Sequence, residues 1–300
     1  MKTVFFRFVL ALFCLPVLAA EQSVPVQIAF LPDVHFHDVY AQFNDGSFKG
    51  LPGKNTGKAA TIRTMAAQLQ STRLFNENYF ALRAALDDLV RRKVKLVVLP
   101  GDFSDDGQSV HIRGLKRILQ HYSQSYGLTF LMTLGNHDPV KPYSHPAGKP
   151  DYLGPDSRPL AIFSPGSEPC KAGNKAVICT EEVKELGYSE LMTELAEFGF
   201  SPQANYLYWE TPYSHYLNNK YSYRQAVAQA DLSQRQFEIC QQGAGSSYKK
   251  PGDSHCHHIP DASYLVEPVA GLWLLAIDAN VYKPKAGYRG KGNEAAAFEG

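Results

Sequence analysis

The sequence predicts an α/β fold built on parallel strands, and three observations carry that prediction. Apolar runs at residues 24–31, 94–99 and 128–134 have the continuous character of buried parallel strands. Helix-period segments at 76–92 and 109–122 separate them, giving strand, helix, strand, helix, strand. Each run also stops abruptly on ligand-type residues: Asp33 and His35, then Gly101 and Asp102, then Gly135, Asn136, His137 and Asp138. In open α/β sheets ligands lie outside the carboxyl ends of the strands, so these three endings should converge on one site.

With 300 residues, 44% hydrophobic and 12% aromatic, the chain can fill one large globular domain carrying insertions. The formal charge is +1, and without Lys2 and Arg7 the count is 28 basic against 29 acidic residues. Neither balance indicates a nucleic-acid-binding patch or a polybasic membrane anchor.

Residues 1–20 read as an export signal: Lys2 and Arg7 form the positive region, residues 8–18 the apolar run, and the small-residue cleavage zone ends at Ala19 or Ala20. The run is shorter than the roughly 20 residues of a spanning helix, so no stable membrane anchor is expected. The domain is then residues 21–300, periplasmic or secreted. Loss of Cys14 leaves Cys170, Cys179, Cys240 and Cys256, and proximity favours pairing 170 with 179 and 240 with 256 in an oxidising compartment.

In the first strand ending, Asp33 and His35 are two residues apart and share a side of an extended chain, as a metal-ligand pair would. His37 and Asp38 continue the alternation without a defined place in the site. Residues 39–73 form a long polar excursion with a short helix expected at 59–69, and because it starts beside the ligands it is read as site rim. Asn76 is expected to cap the helix at 76–92, and Asp105 with Asp106 to cap the one at 109–122. Gly101 allows a tight turn before Asp102.

Residues 139–260 read as an insertion. Its proline-rich first half is expected to be irregular and only 180–198 helical, weakened by Gly187. The aromatic stretch 205–223 is either a stacking wall for a substrate ring or strands packed on the core, the latter favoured. His255, His257 and His258 are read as an exposed loop rather than a zinc site; the minor alternative has one of them, or His215, reaching the metals. Residues 263–266 and 272–277 read as paired strands, with Asp278 structural.

The series Asp33-x-His35, Gly101-Asp102 and Gly135-Asn136-His137-Asp138 resembles the calcineurin-like metallophosphoesterase superfamily, which includes purple acid phosphatases and exported phosphodiesterases. The likeness covers residues 24–138 and, more loosely, 263–279. It implies a two-sheet β-sandwich flanked by helices and a dinuclear metal site. On that match Asp33 and His35 hold one metal, Asp102 bridges both, and Asn136 binds the second. His137 protonates the leaving group or steadies the phosphoryl group, and Asp138 orients His137.

The residue types suit that chemistry independently. Two divalent ions about 3.5–4 Å apart polarise phosphoryl oxygens and turn water into metal-bound hydroxide at neutral pH. Mixed carboxylate, imidazole and amide ligation favours Mn, Fe or Zn over an all-oxygen Mg or Ca cage. The expected activity is hydrolysis of a small-molecule phosphomonoester or phosphodiester. The family pattern continues with a strand ending in histidine and a Gly-His-x-His motif, neither of which follows Asn280 here. The favoured explanation is that these residues are the N-terminal portion of a longer protein, so that the C-terminal part of the fold is missing. Replacement ligands from 215–258 and a degenerate site are the alternatives, and the last would make the chain a non-catalytic exported binding protein.

Overall fold

A computed structural model describes residues 26–54, 57–240, 243–244 and 256–280; the export signal, Cys14 and His255 lie outside these described residues. In chain order the strands are β1 (Ile28–Phe30), β2 (Leu51–Pro52), β3 (Ala59–Ala60), β4 (Leu96–Pro100), β5 (Thr129–Thr133), β6 (Gly148–Leu153) and β7 (Pro159–Phe163). They continue as β8 (Val177–Cys179), β9 (Tyr208–Glu210), β10 (Gln236–Cys240), β11 (Gly243–Ala244), β12 (Cys256–Pro260), β13 (Tyr264–Val269) and β14 (Leu272–Ala276). The helices are α1 (Met65–Leu69), α2 (Asn78–Arg91), α3 (Ser109–Tyr126), α4 (Glu168–Lys171), α5 (Tyr188–Glu194) and α6 (Tyr223–Gln229).

The three apolar runs form one parallel sheet in the order β1-β4-β5, with Ile28 opposite Leu96 and Val97 opposite Phe130. Val97, Leu99, Phe130 and Met132 are buried in it, and α3 covers them with Ile112, Leu115, Leu119 and Tyr122. That 3-4-3 spacing places four apolar side chains on one helix face. Burying each stabilises the fold by about 1.5–3 kcal/mol. Helix α3 ends where Gly127 takes up φ 66° and its N–H bonds back to Ser123 O.

A second, antiparallel sheet runs β9-β13-β14 and shares the core through Trp209, Tyr264 and Val266. The Tyr264 hydroxyl donates to Met132 O at 2.8 Å, tying it to β5. The architecture is therefore the expected mixed α/β one, with several small sheets and flanking helices.

Several local expectations give way to longer-range bonding. Asn76 caps nothing: its amide accepts from Arg63 N at 2.9 Å and donates to Arg63 O at 3.0 Å, and Glu77 takes the cap position of α2. The helix expected at 59–69 is strand β3 followed by the short α1, which Thr64 caps. The proline-rich half of the insertion is irregular as expected over residues 139–147, but beyond them β6, β7 and β8 form a sheet. Residues 180–198 are a 3-10 turn, α5 and a second 3-10 turn; Gly187 is the extended cap residue before α5, where a Cβ would meet Ser144 N at 2.5 Å.

The aromatic stretch packs as favoured: Trp209 is buried in β9, and Tyr208, Tyr216 and Tyr221 cluster beside Trp273. Cys170 and Cys179 form a disulfide. The β10–β12 register sets Cys240 directly opposite Cys256. His258 lies on β12 rather than in a loop, exposed, with its Nε2 3.8 Å from Glu238.

Candidate metal centre

The parallel pairing of β1 with β4 continues past the strands. His35 N–H donates to Asp102 O at 2.8 Å and Phe36 N–H to Phe103 O at 3.0 Å, so the two loops run side by side beyond the sheet. This zipper brings His35 to Asp102. On the other side, β4 and β5 end almost in contact: a Cβ on Gly135 would lie 2.2 Å from Asp102 Oδ1 and 2.3 Å from Asp102 N. Glycine is required at 135 because nothing larger fits.

Asp33, His35 and Asp102 converge, with one donor atom from each lying within 4.8 Å of the others. His35 Nε2 is 4.0 Å from Asp33 Oδ1 and 3.9 Å from Asp102 Oδ2, too far for hydrogen bonds. Three lone pairs therefore face one space without satisfying one another, which is how residues fitted to a divalent cation stand. All three have left-handed backbones, with φ of 50°, 42° and 48° respectively, a conformation rare outside glycine and concentrated at functional sites. Burial, with Arg73 nearby, lowers the His35 pKa and favours the neutral imidazole that ligation needs.

Asn136 is exposed and lines, with Asp33 and Asp102, a cavity of about 630 Å³ whose far wall includes Leu275, Ile277 and Asn280. Asn280 Nδ2 donates to Gly135 O at 3.1 Å and to Tyr188 Oη at 3.2 Å, bracing the β5 end. Asp278 is structural, accepting the Tyr188 hydroxyl at 3.1 Å.

His137 stands beside this cluster: its backbone N–H donates to Asp102 Oδ1 at 2.9 Å and its ring lies 5.2 Å from that of His35. Asp138 does not orient it. The Asp138 carboxylate is fully buried and accepts from Ser104 N at 2.8 Å, Ser104 Oγ at 2.7 Å and Phe103 N at 3.1 Å, because its side chain points under the β4 loop. Burial pushes its pKa up to about 7 against those hydrogen bonds. The carboxylate on the His137 ring is Asp106, whose Oδ1 is 2.5 Å from Nδ1. Burial works against a charged ring, but the hydrogen bond and charge of Asp106 outweigh it and raise the His137 pKa.

Asp105 and Asp106 are thus not helix caps. Gln108 occupies the cap position of α3, and the two aspartates meet Arg63, Arg73 and Lys149 instead. Burial alone would raise the Asp106 pKa, yet Lys149, His137 and Arg73 hold it well below the usual carboxylate range. Arg63 also pairs with Asp151 through Nε at 2.5 Å and Nη2 at 2.8 Å. Both arginines come from the 39–73 excursion, which reaches the site as expected of a rim. His37 and Asp38 turn away: His37 packs on His111 at 4.0 Å between ring centres, and Asp38 accepts from Arg117 and Tyr40 N. Neither His215 nor His258 belongs to a candidate metal group among the described residues.

A family model for calcineurin-like phosphoesterases matches residues 26–260, well over half of the chain. The chain belongs to the calcineurin-like phosphoesterase family. Members of that family generally hydrolyse phosphate esters and typically bind divalent metals, and the Asp33, His35 and Asp102 group is the candidate metal site of this chain. No curated protein matches the chain. Among the described residues no helix is long and apolar enough to cross a membrane.

Proposed function

We propose that the chain is an exported phosphoesterase that hydrolyses small-molecule phosphomonoesters or phosphodiesters at a centre for two divalent transition metals, Mn, Fe or Zn. The observation that carries the reading is the convergence of Asp33, His35 and Asp102 with their donor atoms turned to a common space and unbonded to one another. Asp33, His35 and Asp102 would hold the ions together with Asn136, which lines the same cavity. Bound metal supplies charge that polarises the phosphoryl group and acidifies water.

His137 handles the proton of the leaving group. Its Nδ1 is committed to Asp106, which fixes the ring so that Nε2 is the working atom. Asp138 supports the site indirectly, by holding the Phe103 and Ser104 backbone that follows Asp102. Export rests on the leader sequence, and the Cys170–Cys179 disulfide suits an oxidising compartment.

The test is metal analysis with turnover of aryl phosphate mono- and diesters by the full-length protein. About two equivalents of metal, with activity lost in Asp102→Ala and His137→Ala, is the expected result. Wild-type activity in either variant overturns the site assignment, and absence of both metal and turnover favours the binding-only alternative. Amino-terminal sequencing of the mature protein checks cleavage at Ala19 or Ala20.

A further inference from the structure

Arg73 is placed where salt bridging alone does not account for it. Three cations, Arg63, Arg73 and Lys149, meet three carboxylates, Asp105, Asp106 and Asp151. Asp151 is matched by Arg63, Asp105 lies 3.4 Å from Arg63 Nη1, and Asp106 has Lys149. Arg73 enters this network with one arm only. Its Nη1 donates to Asp105 Oδ1 at 2.7 Å and to Asp106 Oδ1 at 3.3 Å. Its Nη2 reaches no carboxylate, lying 2.8 Å from Nε2 and 3.0 Å from Nδ1 of His137.

That second contact is chemically weak. Near-equal distances to the two ring nitrogens set Nη2 against the ring rather than along the lone pair of either, so no well-aligned hydrogen bond holds it. A charged arm is therefore held without a carboxylate of its own, against the ring that packs on His35, while still about one-fifth exposed. The loop that carries it is fixed: Ser71 Oγ accepts Arg73 N at 3.1 Å, and Asn76 clamps the backbone of Arg63.

We propose that Arg73 is the phosphoryl-binding residue of this site, one arm anchored on Asp105 and the other moving from the His137 ring to the phosphoryl oxygens when an ester or inorganic phosphate enters. An anionic oxygen is the stronger acceptor for a guanidinium, so the exchange is downhill, and it frees Nε2 for the leaving group. Asp105, pre-set by Arg63, acts as the positioning residue for the anchored arm. The proposal rests on the phosphoesterase reading above for its location and adds the ligand chemistry of a residue outside the metal cluster.

The experiment is calorimetric titration of the Mn-loaded full-length protein with inorganic phosphate, with metal content and melting temperature measured alongside. Arg73→Ala is expected to weaken phosphate binding about 10–100-fold, the scale of hydrogen bonds to a charged group, with metal content unchanged. Arg73→Lys should fall between, since a point charge replaces a fork. Arg73→Gln keeps a donor toward Asp105 without the charge and carries the test if the alanine variant does not fold. Phosphate affinity within twofold of wild type in the alanine or glutamine variant overturns the proposal, as does failure of the metal-loaded wild type to bind phosphate. A wild type that binds phosphate through Arg73 but hydrolyses no aryl phosphate removes the hydrolase reading and leaves the anion site standing.

Discussion

Asp106 and Asp138 flank His137 in space, and their surroundings give them different work. Asp106 touches the imidazole, whereas Asp138 is an acceptor for backbone and hydroxyl donors of Phe103 and Ser104. Asp106→Asn should therefore lower kcat by about 100-fold with metal content intact, the scale of a lost acid-base arrangement. Asp138→Ala should instead cost about 3 kcal/mol of stability, because it leaves buried donors without an acceptor. Turnover, metal analysis and urea unfolding on both variants separate the two roles, and equal behaviour would sink the distinction. The convergence of Asp33, His35 and Asp102, the candidate metal group, was legible because type and place coincide: carboxylate or imidazole at the end of an apolar run. Asp106 and Arg73 were not, since their meaning lies in contacts to His137 across 31 and 64 residues of chain. A local rule assigned the aspartates to a helix cap, and three cations, Arg63 buried and Arg73 and Lys149 partly so, overrode it. The signal available was position alone, as both aspartates follow the Asp102 strand end and Arg73 closes the rim excursion.

The ends of β4 and β5 meet at a distance that only glycine permits, so the site depends on how two strands approach rather than on any one ligand. Gly135→Ala would drive a methyl into Asp102 Oδ1 and the Asp102 backbone, which is not free to move. The expected cost is about 1–3 kcal/mol, with weaker metal uptake, read by thermal melting and metal analysis; a variant with wild-type melting and metal content would show that the approach is looser than drawn here. Helix α3 sets a different condition. Its His111 is wholly buried against His37, accepts Asp38 N–H at Nδ1, and has Tyr152 Oη 3.4 Å from Nε2. Burial, then the charges of His37, Arg63, Lys149 and Arg113, holds its pKa well below the ordinary imidazole value. Below pH 6.5 the unfolded chain binds a proton that the folded chain refuses, so stability falls as pH falls, by up to about 1.4 kcal/mol per pH unit for this group. His111→Asn keeps an acceptor for Asp38 and cannot titrate. Urea unfolding at pH 7, 6 and 5 should show a shallower loss in that variant, and an unchanged slope would place the proton elsewhere. The period of α3 was plain in the sequence; that it would bury a histidine against a loop was not, because the partner His37 lies in a different element.

Left-handed backbones at Asp33, His35 and Asp102, and two carboxylates turned toward one space, are unfavourable in isolation. Each such backbone costs on the order of 1–3 kcal/mol, and it persists because the β1–β4 zipper and the Gly135 approach over-determine it. The rest of the molecule thus holds the site in the geometry that a cation would relieve, through a core shared by both sheets. Metal binding and global stability must then be linked. At a free metal concentration 100 times Kd the folded state gains about 2.7 kcal/mol, which for a chain of this size is roughly 4 °C in Tm. Calorimetry of chelator-stripped and Mn-saturated protein should show that rise in the wild type and lose most of it in Asp102→Ala. Because the alanine removes one of the two facing carboxylates but also the acceptor of the His137 N–H, the two effects oppose and the stripped variant should melt close to the stripped wild type. A wild-type Tm indifferent to metal, or a stripped Asp102→Ala far less stable than its parent, would mean that Asp102 serves the fold rather than a cation.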